Sequence, residues 1–125
     1  MPVTVVDASA LAAVTFTEPE GPAIEARLAN ASLVAPGLIW FEMANVCLTK
    51  IRRQPDEEGR LLERFEDALQ LAIDIRPVDY LAVVALAKQT GLSIYDASYL
   101  WLSRELGAEL VTLDTQLIEA EKGAS

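Results

Sequence analysis

Four short apolar runs punctuate the chain, Val3–Val6, Leu33–Ala35, Leu71–Ile75 and Leu110–Leu113, and the stretches between them repeat apolar residues at helical spacing. Strands that alternate with helices predict an α/β fold, a parallel sheet with helices on both faces. Turn and cap residues divide the helical stretches. The first run gives way to Ala8, Ser9, Ala10 and Leu11, the opening of a helix; Glu20–Ala31 follows, with Pro19 and Pro22 near its start. Gly37–Arg53 lies between Pro36 and Pro55, and Asp56 is expected to cap a charged helix running to about Leu71. Asp79 caps Tyr80–Thr90, which Gly91 ends; Ser93 opens a helix that carries Asp96 and stops at Gly107; Thr115 to Lys122 forms the last helix. There is no internal repeat, low-complexity stretch or linker, so residues 1–125 read as one domain.

Composition narrows the chemistry. A 52% hydrophobic content over 125 residues is enough for a real core. Apolar runs such as Tyr80–Ala87 fall short of the roughly 18 residues a membrane span needs, so a cytoplasmic protein is expected. The single cysteine, Cys47, sits in an apolar helical setting and reads as a small core residue; no internal disulfide or cysteine metal cluster can form. The absence of histidine removes Ser-His-Asp and Cys-His nucleophiles, imidazole bases and imidazole metal ligands together. Hydrolysis, if any, must run on carboxylates. With 19 acids against 10 Lys and Arg the net charge is −9, which argues against a broad basic surface for nucleic acid and favours a basic partner or bound divalent cations.

Several acids interrupt the apolar pattern. Asp7 follows the first strand and Asp114 follows "AELVTL", the last; in a parallel sheet both must lie on the same edge. Asp96 sits in the first turn of "SIYDASYLWL". Each alone is explained by helix capping or by the helix dipole, worth about 1 kcal/mol or less. Glu42 is harder to explain, because it lies mid-helix in "LIWFEMANVCL", where burying a lone carboxylate costs several kcal/mol. Glu42, Asn45, Thr49 and Arg52 or Arg53 recur at three- and four-residue steps, which is either a solvated face or a track from an acidic site toward the basic end "KIRR". Carboxylates converging at one edge would need protonation or a cation between them, and oxygen-only ligands select Mg²⁺ or Mn²⁺ over zinc.

The segments "VVDASAL", "WFEMANV" and "LSIYDASYLWLSRELGAELVTLD" resemble the successive motifs of PIN-domain ribonucleases, and the size resembles the VapC toxins of bacterial toxin–antitoxin pairs. The resemblance runs from Val3 to about Leu117. It implies a parallel sheet of four to five strands, the first lying between the second and fourth. Asp7, Glu42, Asp96 and Asp114 match the family's acidic metal-binding positions, and Ser9, Asn45 and Thr112 match its accompanying polar positions. Ser9 reads equally as a helix cap, and Thr112 as a strand residue with a satisfied hydroxyl. Where some members carry a further acid, this chain reads "DTQLIEAEK", with Gln116 and the more distant Glu119, which leaves one ion or two open.

The implied activity is Mg²⁺- or Mn²⁺-dependent endoribonuclease cleavage, with water attacking an in-line phosphodiester and leaving 5′-phosphate and 3′-hydroxyl ends. Lys50, Arg52 and Arg53 are candidate contacts to the RNA backbone, and each reads also as part of a solvated helix end. A toxin of this kind would be restrained by a cognate antitoxin with a basic tail and would form a homodimer; Trp40, Trp101 and other apolar residues of the helices are contact candidates, though tryptophans of this kind are more often core. A phosphoaspartate enzyme would want a second Asp where Ser9 stands, and a receiver domain would want paired acids after its first strand and a lysine after its last; neither pattern is present. A catalytically inert PIN-fold binding or regulatory domain is the other reading.

Overall fold

The computed structural model describes residues 2–123. Strand β1 (Val3–Val6) is three valines and a threonine, side chains whose branching at Cβ suits a pleated surface. It pairs in parallel with β2 (Ser32–Ala35) on one side and β4 (Glu109–Val111) on the other, and β2 carries β3 (Ile73–Ile75) at the edge. The order is therefore β3-β2-β1-β4, with the first strand between the second and fourth as the resemblance implies. Four strands make up the sheet among the described residues.

Helices α1 (Ala8–Thr15) and α2 (Gly21–Leu28) connect β1 to β2; α3 (Leu38–Arg53) and α4 (Glu58–Leu69) connect β2 to β3; α5 (Tyr80–Thr90) and α6 (Ile94–Leu106) connect β3 to β4; α7 (Thr115–Lys122) follows. Val5, Val6, Val34, Leu110 and Val111 of the sheet join Leu11, Ile39, Met43, Leu100 and Leu117 of the helices in one core. Two glycines are needed where they stand. A Cβ on Gly21 would lie 2.6 Å from the Ala13 carbonyl oxygen, so only glycine lets α2 turn this close to α1. Gly107 takes φ +60°, the left-handed conformation that ends α6 and turns the chain into β4.

The structure moves several expected boundaries. Helix α2 stops at Leu28 because Ala29 leaves helical geometry and Asn30 turns left-handed at φ 65°. Strand β3 starts at Ile73, since Leu71 is still held by the exit turn of α4 through its N–H to the Ala68 carbonyl. Asp56 caps nothing: Pro55–Glu57 forms a 3₁₀ turn, and α4 begins at Glu58 without a side-chain cap. Asp7, Asp79, Ser93 and Asp114 do cap helices, accepting from the N–H groups of Ala10, Ala82, Asp96 and Leu117. Trp40 and Trp101 pack against the core and are half-buried. Among the large apolar side chains left outside, Phe41, Tyr80, Leu81 and Tyr95 are the most exposed.

Candidate active site

Strand order reverses between β1 and β4: the chain leaves β1 toward β2 and returns on the other side as β4. A crevice at such a reversal, at the carboxyl ends of the strands, is where open α/β sheets bind ligands. Asp7 and Asp114 flank it, each one residue before the helix that it caps. Capping and placement at the crevice are thus compatible, because each cap uses a single carboxylate oxygen.

Asp7 is buried, at 4% exposure. Its Oδ1 accepts from the Ala10 N–H at 3.0 Å and the Ser9 hydroxyl at 2.7 Å, and its Oδ2 accepts from the Thr112 hydroxyl at 2.6 Å. The two hydroxyls spend their protons on Asp7 and turn their lone pairs toward the loop after β4, where Ser9 accepts from the Leu113 N–H at 2.9 Å and Thr112 from the Asp114 N–H at 3.0 Å. Ser9 is therefore not the cap of α1, which is Asp7. Thr112 lies one residue past β4, and its hydroxyl links one acid's carboxylate to the other acid's backbone. Burial pushes the Asp7 carboxyl above its ordinary value despite these three donors, and Asp114 pushes it further.

Glu42 comes from the second turn of α3, half-buried beside Met43 of the core. Its Oε1 accepts from the Tyr99 hydroxyl at 2.6 Å. Burial raises its pKa, and the charges of Asp7 and Asp96 add to the shift. Asp96, at the start of α6, is raised by partial burial and then by Asp114 and Asp7. Asp7 thus feels Asp114, Glu42 feels Asp7 and Asp96, and Asp96 feels Asp114 and Asp7. None of the four forms an ion pair with Lys or Arg among the described residues. No three acids among those residues stand together at metal-ligand spacing. Oxygen donors only, partial or full burial and no protein cation to offset the charge are what a hard divalent ion requires of its site.

Tyr99 escaped the sequence reading. It is fully buried with Glu42 as its side-chain hydrogen-bond partner, and its own pKa is driven far up by burial and by Glu42. The available signal was its place three residues after Asp96, on the same face of α6.

The polar residues of α3 lead away from the acids along a groove of about 550 Å³ that begins at Ser9 and Leu113 and includes Asn45, Thr49, Lys50 and Arg53. The stripe is therefore a groove wall at these positions. Lys50 is half-buried, 3.5 Å from Glu18 and 5.7 Å above the Phe16 ring. Arg52 is exposed and does not line this groove. Glu119 is exposed, and Glu121 instead accepts from the Leu110 N–H at 3.2 Å, so neither joins the four acids through these contacts.

The PIN domain model matches residues 4–123, nearly the whole chain. The chain belongs to the PIN-domain family. Ribonuclease VapC3 of Pyrobaculum aerophilum is 33% identical over 123 residues, covering 92% of each chain. The crystal structure of PAE2754 from the same organism matches this PIN domain with a TM-score of 0.78 and 26% identity, covering 98% of this chain and 88% of that one. VapC20 of Mycobacterium tuberculosis, a toxin that cleaves the sarcin-ricin loop, matches at a TM-score of 0.67 with 14% identity over 94% of each chain, a likeness of fold alone.

Proposed function

We propose that the chain acts as a single-domain, metal-dependent endoribonuclease, the toxin of a toxin–antitoxin pair. The observation that carries this reading is the set of four mutually repelling acids, Asp7, Glu42, Asp96 and Asp114, without a protein counter-ion among the described residues, in a PIN domain related to a VapC ribonuclease. These acids would hold Mg²⁺ or Mn²⁺. When bound, the ion makes water a stronger nucleophile near neutral pH and offsets charge on the attacked phosphodiester.

The chain's own side chains do the positioning. Ser9, Thr112 and the Ala10 N–H fix the Asp7 carboxylate from three directions, making it the rigid member of the set. Tyr99 anchors one oxygen of Glu42 and leaves the other free to turn toward the crevice. Asp96 and Asp114 rise from helix starts, where the Ser93 side chain bonds the first and the Leu117 N–H the second. Asn45 opens the groove beside the acids, where an amide can donate to a phosphate or ribose oxygen, and Lys50 and Arg53 lie farther along it.

The partners follow from the surface. A basic antitoxin tail suits an acidic crevice on a chain of net charge −9. A homodimer would form through Phe41, Tyr80 and Tyr95, which stand exposed along a groove lined by α3, α5 and α6, with exposed Leu81 next to Tyr80 in α5; a monomer at all concentrations in sizing experiments counts against it. No helix among the described residues is long and apolar enough to cross a membrane, and we place the activity in the cytoplasm with its RNA.

A second reading, an inert PIN-fold binding domain, draws on the dispersed acids and the fully engaged Asp7 carboxylate. Mn²⁺ titration separates the two. The nuclease gains thermal stability with Mn²⁺ and cuts RNA, and Asp96→Asn loses both responses; a variant that cuts at the parent rate would sink the assignment.

A further inference from the structure

The chain is acidic overall, yet five of its ten Lys and Arg residues, Lys50, Arg52, Arg53, Arg60 and Arg64, fall between positions 50 and 64. The fold gives four of them a common use. The groove that starts at Ser9 reaches Lys50 and Arg53. A second groove of about 200 Å³ starts at Lys50 and continues past Phe16 and Gln54 to Arg60 and Arg64 of α4. Lys50 lines both, so the two meet at its side chain. Measured from Glu42 along α3, Lys50 lies about 12 Å away and Arg53 about 16 Å.

The charges along this path are held loosely. Lys50 faces Glu18 at 3.5 Å and Arg60 faces Glu57 at 3.8 Å, both longer than a charge-assisted hydrogen bond. Arg53 and half-buried Arg64 have no ion pair among the described residues. Phosphates spaced along a strand can take up all four cations and leave Glu18 and Glu57 to water.

We infer that the two grooves form one phosphate track, which binds the backbone of single-stranded RNA a few nucleotides from the acids, with Arg64 at its far end. The inference rests on the nuclease reading, because it takes the acids as the point where the strand is cut. RNA is favoured over an acidic peptide because the four cations recur along the whole path, with no large apolar pocket beside them among the described residues for a peptide side chain, and the one aromatic ring, Phe16, is already covered by Lys50. Glu18, Glu20 and Glu57 line the path too and stay in water. The track binds by charge and reads no base.

The test uses the purified chain and fluorescein-labelled single-stranded RNAs of about 4 and about 12 nucleotides. Anisotropy is read in Ca²⁺ to limit cleavage, and kcat/KM is read in Mg²⁺. Arg64→Gln is expected to weaken the longer RNA about 3- to 10-fold at low salt and to lower the slope of log affinity against log salt by about 0.7. Arg64→Glu weakens it more. Neither changes cutting of the shorter RNA or stabilisation by Mn²⁺. Lys88→Gln, which removes a charge that lines neither groove, stays within about twofold of the parent. Parent affinity and salt slope in Arg64→Glu for the longer RNA, while the parent cuts RNA, would overturn the track alone. A parent that neither binds nor cuts RNA would overturn the nuclease reading with it. Weakened binding of an acidic peptide by Arg64→Glu, with RNA binding unchanged, would assign the path to a protein partner and reject the RNA track.

Discussion

At the amino ends of the strands Glu109, the first residue of β4, meets Arg27 of α2 at 2.6 Å with both side chains about half exposed, whereas at the carboxyl ends Asp7 and Asp114, like Glu42 and Asp96 nearby, have no Lys or Arg paired to them among the described residues. Both rims belong to the same strands, and β4 has an acid at each: Glu109 where it begins and Asp114 just beyond it. At the amino rim the protein supplies its own counter-charge, and water screens what is left. At the carboxyl rim burial removes water as well, and Asp7, Glu42 and Asp96 respond by holding protons more tightly than ordinary carboxylates. Charge left uncompensated inside a fold marks a place where something from outside is expected to bind.

The contrast breaks most completely when an acid of the carboxyl rim is neutralised. Asp96→Asn is expected to lower RNA cleavage by at least about 10²-fold, as loss of a proposed ligand to the ion that activates water would, when cleavage of a labelled RNA is followed in Mg²⁺. The same variant without metal should melt higher than the parent, by about 1 kcal/mol or a few degrees, because one of four repelling charges has gone. A lower melting point would show that Asp96 stabilises the apo fold. Thr112→Val keeps the shape but removes both the donor to Asp7 and the acceptor for the Asp114 N–H; a loss of about 1–3 kcal/mol in urea unfolding is expected.

Acidity sharpens the comparison. A carboxyl whose folded pKa lies above its unfolded one favours the fold while protonated in both states, and that stability is lost as pH rises through the folded value. For Asp7, Glu42 and Asp96 this contribution is largest below about pH 4 and declines above it, so the metal-free parent should gain less, or lose more, than Asp96→Asn as pH is raised from 5 to 7. Saturating Mn²⁺ should reverse the difference, since the ion binds only deprotonated ligands. Melting curves of both proteins across that range check the sign. The smallest effect belongs to the other rim: Arg27→Ala should cost no more than about 1 kcal/mol and lose even that in high salt.

Much of this arrangement is legible in the residues themselves. Alternation of strand and helix, the caps at Asp7, Asp79, Ser93 and Asp114, and the shared edge of Asp7 and Asp114 all depend on local signals or on the parity of a parallel sheet. The short outer strands are less legible, because β3 and β4 are only three residues long and their limits are set by what their neighbours offer for pairing. Pro55 explains the failure at Asp56, since it starts a 3₁₀ turn that carries the chain past the expected cap. Ser9 was ambiguous because capping residues are interchangeable on paper; Asp7, two positions earlier, takes the cap and frees the Ser9 hydroxyl to bridge to Leu113. The bond from Tyr99 to Glu42 joins residues 57 positions apart, and no periodicity within either helix announces it. The grooves are hidden for the same reason: Arg60 and Arg64 look like ordinary charges of a solvated helix until α4 lies against α3.

The hydroxyl of Thr112 reaches a carboxylate 105 positions earlier in the chain. Asp7 leaves the ribosome long before the group that fixes it, since 105 positions separate the two. Partial translation products carry three of the acids and lack the strand that ties the first to the last. A copy interrupted before Thr112 therefore holds Asp7, Glu42 and Asp96 but neither Asp114 nor the hydroxyl that fixes Asp7, so the crevice is completed only when the fourth strand and the residues just after it have been made.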